Sequence, residues 1–348
     1  MNTQSNSRDS MKSTWRRQHK SQWTIWHTIL DSLGVHHVDL DKEVPVHQKD
    51  EKIPYMPDWS VHRWIIFYTG TTLALHELYI RVTGSNVGPV VAYLFYYWAS
   101  RISSTREICS LRELGHKYGF LDGDKYERDG VPDADVQKTL TSIFLAGIMR
   151  PLFIVYLTYY TTRSPSTINF ILLPFQISIY GIIIDFWFYW YHRLMHEVDG
   201  LWKYHRRHHL TKHPNPLLTI YADHGQGIFD IAVIPLMAFF TMKASGFPMG
   251  FYEWYVCSQY IMFAEIAGHS GLRIHAASPS PLTFLLRVFD AELVIEDHDL
   301  HHRRGWKSSY NYGKQTRLWD KVFGTTGKRI ESAEDNVDYK QTVLMPLF

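Results

Sequence analysis

Histidine is the residue type in this sequence with the clearest chemical potential, since 20 of the 348 residues are histidines and most lie in the second half. Offsets of three and four residues place side chains on one face of a helix, and these offsets recur in three clusters. A single pair at this spacing is common by chance, but three clusters together indicate that the histidines bind the same metal site. The clusters are His192 and His196; His205, His208 and His209; and His298, His301 and His302.

The number of clustered imidazoles predicts a site for two metal ions. Imidazole nitrogen binds iron, zinc, copper and nickel, and a single zinc ion typically takes about four ligands. We expect His269 to be a further ligand. His275 is a weaker candidate, because an offset of six leaves it off the face of His269 in a continuous helix. Weaker still are His213 and His224, and we expect His62 and His76 to lie outside the site.

The alternative for the three clusters is a set of solvated histidines that face water or lipid headgroups. Adjacent histidine doublets would then crowd groups that protonate near about pH 6.5. Crowding of this kind has no purpose without a bound cation, so the clusters favour metal binding.

Two acidic residues are candidates for hydrogen-bond partners of the ligands. Asp185 lies two turns before His192 on the same helical face, and Glu265 lies one turn before His269. Ligating imidazoles usually donate their second N–H to a carboxylate or carbonyl group. Polar pairing inside a helical bundle is the equal alternative for both carboxylates.

Apolar segments surround the clusters and predict an all-α fold, an integral membrane helical bundle with a cytosolic helical cap that carries the di-metal site. The composition is 45% hydrophobic and 15% aromatic, and the aromatic content suits a membrane interface. A mean hydropathy of −0.21 indicates a large aqueous part as well. The strongest crossing is predicted at 169–191, close to the ~20 residues that a bilayer requires. The other candidate segments are 64–80, 88–102, 140–160, 228–242 and 248–268.

Basic residues orient this set of segments. They concentrate in 101–138, in 192–227 and after residue 270, whereas 161–168 and 243–247 hold one each. The positive-inside rule therefore places every histidine cluster on the cytosolic side. The first 22 residues are polar, so we expect insertion to use internal spans. The predicted domains are a polar cytosolic arm at 1–60, membrane helices at 61–180 with a cytosolic loop at 103–138, a catalytic domain at 181–326 and a tail at 327–348.

Charge and cysteine content exclude other classes of protein. A net charge of +2 gives no case for binding nucleic acid. The two cysteines, Cys109 and Cys257, are too few for a disulfide framework or a cysteine-based zinc finger.

Between Asp185 and Gly324 the sequence resembles the fatty acid hydroxylase / sterol desaturase superfamily of membrane di-iron enzymes. The resemblance rests on the three clusters, on the His269-Ser-Gly271 element, on Asn311-Tyr-Gly313 and on the stretch 318–325. It implies a non-haem di-iron oxidoreductase with two iron ions and O2 as co-substrate. It also implies a lipid substrate, a multi-pass protein of the endoplasmic reticulum membrane, and an external electron donor such as cytochrome b5 with its reductase. The sequence holds no G-x-G-x-x-G dinucleotide motif and no evident cytochrome b5 module, which agrees with an external donor.

The expected function is hydroxylation, oxidation or desaturation of a C–H bond in a sterol, fatty acyl, sphingoid or terpenoid lipid. All these reactions share the same ligands. Leu272 after Gly271 and Gly225 after His224 depart from the sterol branch and put a sterol substrate in doubt. The alternatives are an intramembrane metal-ion transporter, whose site should lie near the bilayer midplane, and a lipid-binding protein with a non-catalytic metal site.

Overall fold

Helices form most of the chain, as the apolar segments predict. The computed structural model describes residues 9–36, 41–123, 128 and 130–348, with the side chain of His224 left out. The helices are α1 (Ile25–Ser32), α2 (Asp58–Thr83), α3 (Pro89–Tyr118), α4 (Val136–Thr158), α5 (Leu173–Glu197), α6 (Asp199–His205), α7 (His224–Ile228), α8 (Ile234–Ala244), α9 (Phe251–Gly268), α10 (Thr283–Val288), α11 (Ile295–Arg304) and α12 (Leu318–Val322).

The long helices pack around α9, most of whose residues are buried. Helices α2, α3, α4 and α5 all contact α9, and α5 also packs along α8. The turn between α2 and α3 uses Gly84 at φ +72°, a left-handed conformation that glycine adopts without strain, and Pro89 begins α3. This bundle brings the C-terminal ends of α5 and α9, which carry histidines, close to α11.

Two helices in the described part of the chain are long and apolar enough to cross a membrane. They are Val136–Thr158, which is α4, and Gly225–Ala244, in which α7 continues into α8 through a π-helical turn at Phe229–Val233. They contain most of the predicted segments 140–160 and 228–242. The prediction that 169–191 is the strongest crossing is wrong by this measure. The segment lies in α5, where buried Gln176 and Asp185 lower the hydropathy.

A small parallel sheet corrects the all-α expectation. The strands in the described residues are β1 (Ile53–Met56), β2 (His275–Ala276) and β3 (Val337–Thr342), in the order β2-β1-β3. Tyr55 pairs with His275, and Ile53 pairs with Val337. The strands are too short and too widely separated in sequence for a period-two pattern to be recognised.

The N-terminal segment, expected as a loosely ordered polar arm, packs against the rest of the molecule where it is described. Trp15, Leu30 and Val35 are buried in a small core with Val131 and Leu140. The indole N–H of Trp15 donates to the carbonyl of Val131 at 3.0 Å. Apolar residues spaced among charges therefore fix this segment over α4.

Candidate metal centre

Five pieces of the chain deliver the histidines to one place. The last turns of α5 carry His192 and His196, and α6 ends at His205. A 3-10 turn at His208–Leu210 follows, His269 directly succeeds α9, and α11 carries the third cluster. The sequence predicts the local spacing, and the bundle supplies the convergence.

The first of two clusters of ligand atoms, called here the five-histidine group, consists of His192, His196, His205, His209 and His301. All five side chains are buried, and their ligand nitrogens lie within 4.8 Å of one another. The Nε2 of His205 is 2.9 Å from that of His192 and 3.1 Å from that of His209. The Nε2 atoms of His209 and His301 are 3.0 Å apart.

The second cluster, the four-histidine group, consists of His208, His269, His298 and His302. Its ligand nitrogens also lie within 4.8 Å of one another, and all four residues are buried. The Nε2 of His269 is 3.3 Å from that of His208 and 3.0 Å from that of His298. His269, expected as a ninth ligand, thus lies at the middle of this group.

Each histidine doublet is divided between the two groups. His209 and His301 belong to the five-histidine group, whereas their neighbours His208 and His302 belong to the other. Adjacent residues on a helix point in directions about 100° apart, so one H-x-x-H-H motif can face two sites. The rings of His209 and His302 stack at a centroid distance of 4.7 Å, which places the groups side by side.

Oxygen atoms hold most of the imidazoles through Nδ1. Carbonyl oxygens accept from His192, His196 and His301 at 2.6–2.8 Å, and a side-chain oxygen, Oε1 of Gln226, accepts from His205 at 2.9 Å. A proton on Nδ1 leaves the Nε2 lone pair free, as a metal ligand requires. The remaining acceptors are the carbonyls of Tyr221 for His208, Glu265 for His269 and Thr211 for His302.

The Nε2 atoms fit a pair of cations. With Nδ1 of both rings donating to an oxygen, the 2.9 Å contact between Nε2 of His192 and Nε2 of His205 brings two lone pairs together unless a cation lies between them. The Nε2 atoms of His196 and His302 are buried and have no hydrogen-bond partner among the described residues. A buried polar atom without a partner is costly, and a metal ion bound at each group would satisfy it.

Burial keeps these imidazoles in the neutral form, which can bind a metal ion. Loss of solvation, with repulsion from neighbouring imidazoles, lowers the pKa of His209, His301 and His302 well below the usual value. Burial and the nearby Lys314 ammonium lower the pKa of His269 to about 3. Neutral imidazole is the species that binds metals, and an all-nitrogen donor set suits iron, zinc, copper or nickel.

The two predicted acidic partners contact other groups. Asp185 accepts from the backbone N–H groups of Lys314 and Gln315 at 2.7 and 2.9 Å and from the Thr316 hydroxyl at 2.7 Å. It therefore anchors the segment that follows Tyr312, whose carbonyl holds His192. Its contact with the imidazoles is thus indirect.

Glu265 reaches His269 through its backbone. Its carbonyl accepts from Nδ1 of His269 at 2.7 Å, while its carboxylate lies 2.8 Å from Arg150 and 3.5 Å from Lys314. The expectation of a carboxylate partner for His269 is therefore corrected to a main-chain carbonyl. Sequence spacing placed the residue correctly but could not separate its two kinds of oxygen.

His275, included among the predicted ligands, lies outside both groups. It is in β2, where it pairs with Tyr55, and their rings are 6.2 Å apart. Helix α9 ends at Gly268 and Gly271 adopts φ +59°, so His275 does not continue the helix that leads to His269.

The histidines expected outside the site have other partners. Nδ1 of His62 lies 3.0 Å from the hydroxyl of Tyr260, and Nδ1 of His76 lies 2.7 Å from that of Tyr96. His213, a weaker candidate, pairs with Asp122 at 3.1 Å.

A mostly apolar cavity of about 120 Å³ lies beside the site, between α3, α4 and α9. Tyr96, Ile154 and Met262 are among its lining residues, and Glu265 and Ile266 bring it to within one turn of His269. Two smaller cavities share Glu265 with it, and one of them is lined by Lys314 and Phe188. The ring of Phe188 lies 4.9 Å from that of His192, so this series of cavities extends along the metal site.

Comparisons with known proteins agree with the site. The family model for fatty acid hydroxylase matches residues 177–325. A fatty acid hydroxylase, vlmA of Lecanicillium sp, is 41% identical over 319 residues, which cover 87% of each chain. No solved structure matches the chain.

The names of two less similar relatives refer to other lipids. Methylsterol monooxygenase 2-2 of Arabidopsis thaliana is 26% identical over 238 residues, covering 65% of this chain and 83% of its own. Human alkylglycerol monooxygenase is 27% identical over 167 residues, covering 46% of this chain and 31% of its own.

Proposed function

The chain belongs to the fatty acid hydroxylase family, membrane di-iron oxygenases that act on lipid C–H bonds, and from this premise we propose that it hydroxylates a fatty-acyl chain. The observation that carries the proposal is the convergence of nine buried imidazoles into the five- and four-histidine groups. We propose that each group binds one iron ion. The proposed catalytic domain is 181–326, which nearly coincides with the family match.

Hydroxylation inserts one oxygen atom of O2 into a C–H bond and releases the other as water, with two electrons and two protons supplied from outside. The iron pair, when bound, supplies the activation of O2 and the removal of hydrogen from carbon. The chain's own residues exclude water from the nine imidazoles and hold the orientation of seven of them through Nδ1.

The apolar cavity supports a fatty-acyl substrate. A chain of methylene groups gains about 0.8 kcal/mol for each group moved from water to an apolar surface, and lining residues such as Ile108, Ile154 and Met262 offer such a surface. The 41% identity to a fatty acid hydroxylase exceeds the 26% to a methylsterol monooxygenase. Leu272 and Gly225, which depart from the sterol branch, point the same way.

We propose the endoplasmic reticulum membrane as the location, with the metal site on the cytosolic side. The distribution of basic residues supports this orientation. Both segments that supply histidines must lie on one side for the groups to form. An external one-electron carrier of the cytochrome b5 type is the proposed source of electrons.

Metal analysis and product analysis of the purified protein test the proposal together. In detergent or nanodiscs, we expect about two iron ions per chain and conversion of fatty acids to hydroxy acids under ¹⁸O-labelled O2 with a mass gain of one labelled oxygen. Label from water instead of O2, or a protein that binds only zinc and oxidises no lipid, would contradict it. The second result would favour a lipid-binding protein with a non-catalytic metal site.

A further inference from the structure

Two tryptophans connect the surface of the protein to the metal site. Trp306 follows α11 and is 38% exposed, whereas Trp202 in α6 is buried. Their rings meet edge to face with centroids 5.0 Å apart. The pair therefore forms a continuous aromatic contact from solvent to the interior.

The inner end of this contact touches the five-histidine group. The Trp202 ring lies 5.2 Å from the ring of His196 and 5.6 Å from that of His209. Trp306 has a second link, since its carbonyl accepts a hydrogen bond from Nδ1 of His196 at 2.6 Å. An electron from a carrier in contact with the exposed ring thus has a tunnelling path through aromatic contacts and one through a single hydrogen bond.

Positive charge surrounds the outer end. The Lys212 ammonium lies 4.4 Å from the centroid of the Trp306 ring, and the Arg206 guanidinium lies 6.0 Å from it. The Lys212 ammonium has no carboxylate partner among the described residues. It donates a hydrogen bond to the carbonyl of Gly305 at 2.8 Å, which leaves its positive charge uncompensated. Three exposed basic residues lie within two residues of these tryptophans in sequence, namely Lys203, Arg304 and Lys307.

Acidic residues neutralise only part of this charge. Asp9 pairs with Arg206, and the highly exposed Asp199 pairs with Lys307. Lys203, Lys212 and Arg304 form no ion pair among the described residues. The surface around Trp306 is therefore basic and suits an acidic protein face.

We propose that Trp306 and its basic surroundings form the docking surface for a one-electron carrier protein with an acidic face, and that the electron tunnels from the carrier to the five-histidine group through the contacts of Trp306 and Trp202, neither ring being itself reduced. This inference rests on the proposed function, because hydroxylation needs two electrons. Each docking event oxidises one reduced carrier and delivers one electron to the metal site, so two events serve one turnover. The protons come from water, separately from the carrier.

Binding to the metal-free protein tests the docking surface without any catalysis. The probe is the oxidised soluble haem domain of cytochrome b5, titrated at low and at high salt. For Lys212→Glu we expect about tenfold weaker binding and a smaller salt dependence, because a rim charge steers an oppositely charged partner. Lys203→Glu repeats the test without disturbing the Gly305 carbonyl.

The matched control for charge is Lys117→Glu. Lys117 is also exposed and lies 5.1 Å from an aromatic ring, that of Tyr118, but at the end of α3. Its reversal should leave binding unchanged. Equal binding by the wild type and by the Lys212 and Lys203 variants would overturn the proposed surface.

The rate of electron transfer tests the tryptophan route. At saturating reduced haem domain, Trp306→Leu should slow reduction of the iron-loaded protein by at least about tenfold, whereas Trp306→Phe, which keeps a ring, should slow it less. Reduction by dithionite, which needs no docking, should be unchanged in both. The control is Trp59→Leu, another exposed tryptophan with a nearby arginine.

The outcomes separate the route from the function on which it rests. If the Trp306 variants are reduced by the haem domain as fast as the wild type, the route is wrong while the oxygenase remains. Equal slowing with dithionite would mean that Trp306 only maintains the His196 geometry, and would also overturn the route. A wild-type protein that oxidises no lipid with either reductant would instead refute the proposed function.

Discussion

The two histidine groups differ in what holds their imidazoles. In the five-histidine group, three Nδ1 atoms donate to carbonyls of one segment after α11, those of Trp306, Tyr310 and Tyr312. In the four-histidine group, the acceptors are carbonyls in three separate places, such as Glu265 in α9. The first group therefore depends on the placement of a single loop.

The surroundings of the groups differ as well. The five-histidine group borders the Trp202 ring and the basic surface around Trp306. The four-histidine group borders Glu265, which contacts Arg150 and Lys314 and lines the apolar cavity. Under the proposed function and electron route, electrons reach the site at the five-histidine group, while the main apolar cavity lies beside the four-histidine group.

Loss of a ligand should have the largest effect and should be similar in both groups. His301→Ala and His205→Ala in the first group, and His269→Ala in the second, should abolish hydroxylation and reduce bound iron from about two ions to about one or fewer. His62→Ala is the matched control, because His62 is a half-buried histidine bonded to Tyr260. Iron analysis with product quantification checks this, and full activity in any of the three ligand variants would remove that residue from the site.

The charges beside the four-histidine group should matter next. Glu265→Gln leaves the Arg150 guanidinium, which is 21% exposed, without its carboxylate partner at 2.8 Å, and the cost of about 3–5 kcal/mol for a fully buried pair is the upper bound. We expect the thermal midpoint to fall by on the order of 10 °C. The control is Glu77→Gln, which breaks an exposed pair with Arg81 that is worth less than about 1 kcal/mol. Equal midpoints for both variants would show that the buried pair adds no stability.

The side-chain acceptor of the five-histidine group permits a finer comparison. Gln226→Leu removes the oxygen that accepts from His205, and loss of such a partner typically lowers metal affinity or activity about 10–100-fold. In the four-histidine group no described imidazole depends on a side-chain acceptor alone, because His302, the one that contacts a hydroxyl, also donates to the carbonyl of Thr211. Competition with a chelator measures the affinity. An unchanged iron affinity would mean that the carbonyl loop alone fixes this group.

The smallest effects should come from redundant hydroxyls, one in each group. Ser309 Oγ lies 3.1 Å from Nδ1 of His301, which already donates to Tyr310, and Thr211 Oγ1 lies 3.3 Å from Nδ1 of His302. Ser309→Ala and Thr211→Val should each change activity less than about tenfold, because a net hydrogen bond is worth about 1 kcal/mol. A larger loss in one variant than in the other would show that the groups rely on hydroxyls unequally.

Sequence reasoning identified the histidines that the structure brings together, because helical spacing reveals them. The three clusters and His269 come together, because offsets of three and four remain on one face wherever the chain is helical. The prediction that His275 is a ligand was wrong, because helix α9 ends before this residue and Gly271 turns the chain. The division of each doublet between two groups is compatible with the same helical geometry. It was not predicted, because the spacing does not tell which side of a helix faces which group.

Main-chain acceptors left no signal in the sequence. The carbonyls of Trp306, Tyr310 and Tyr312 hold three ligands, yet a carbonyl is present at every residue. The parallel sheet was also missed, because β1 joins β2 and β3 from positions more than 200 residues away in sequence. Contacts of that range are set by tertiary packing, which local patterns do not encode.

The divided doublets have a consequence for how the protein acquires its metal. His208 and His209 share one short turn, and His301 and His302 share one helix, so each of these backbone segments serves both groups. Immobilising them for the first ion removes conformational freedom that the second ion would otherwise have to remove itself. We therefore expect loading to be positively cooperative, with chains that hold a single ion scarce at every stage of a titration.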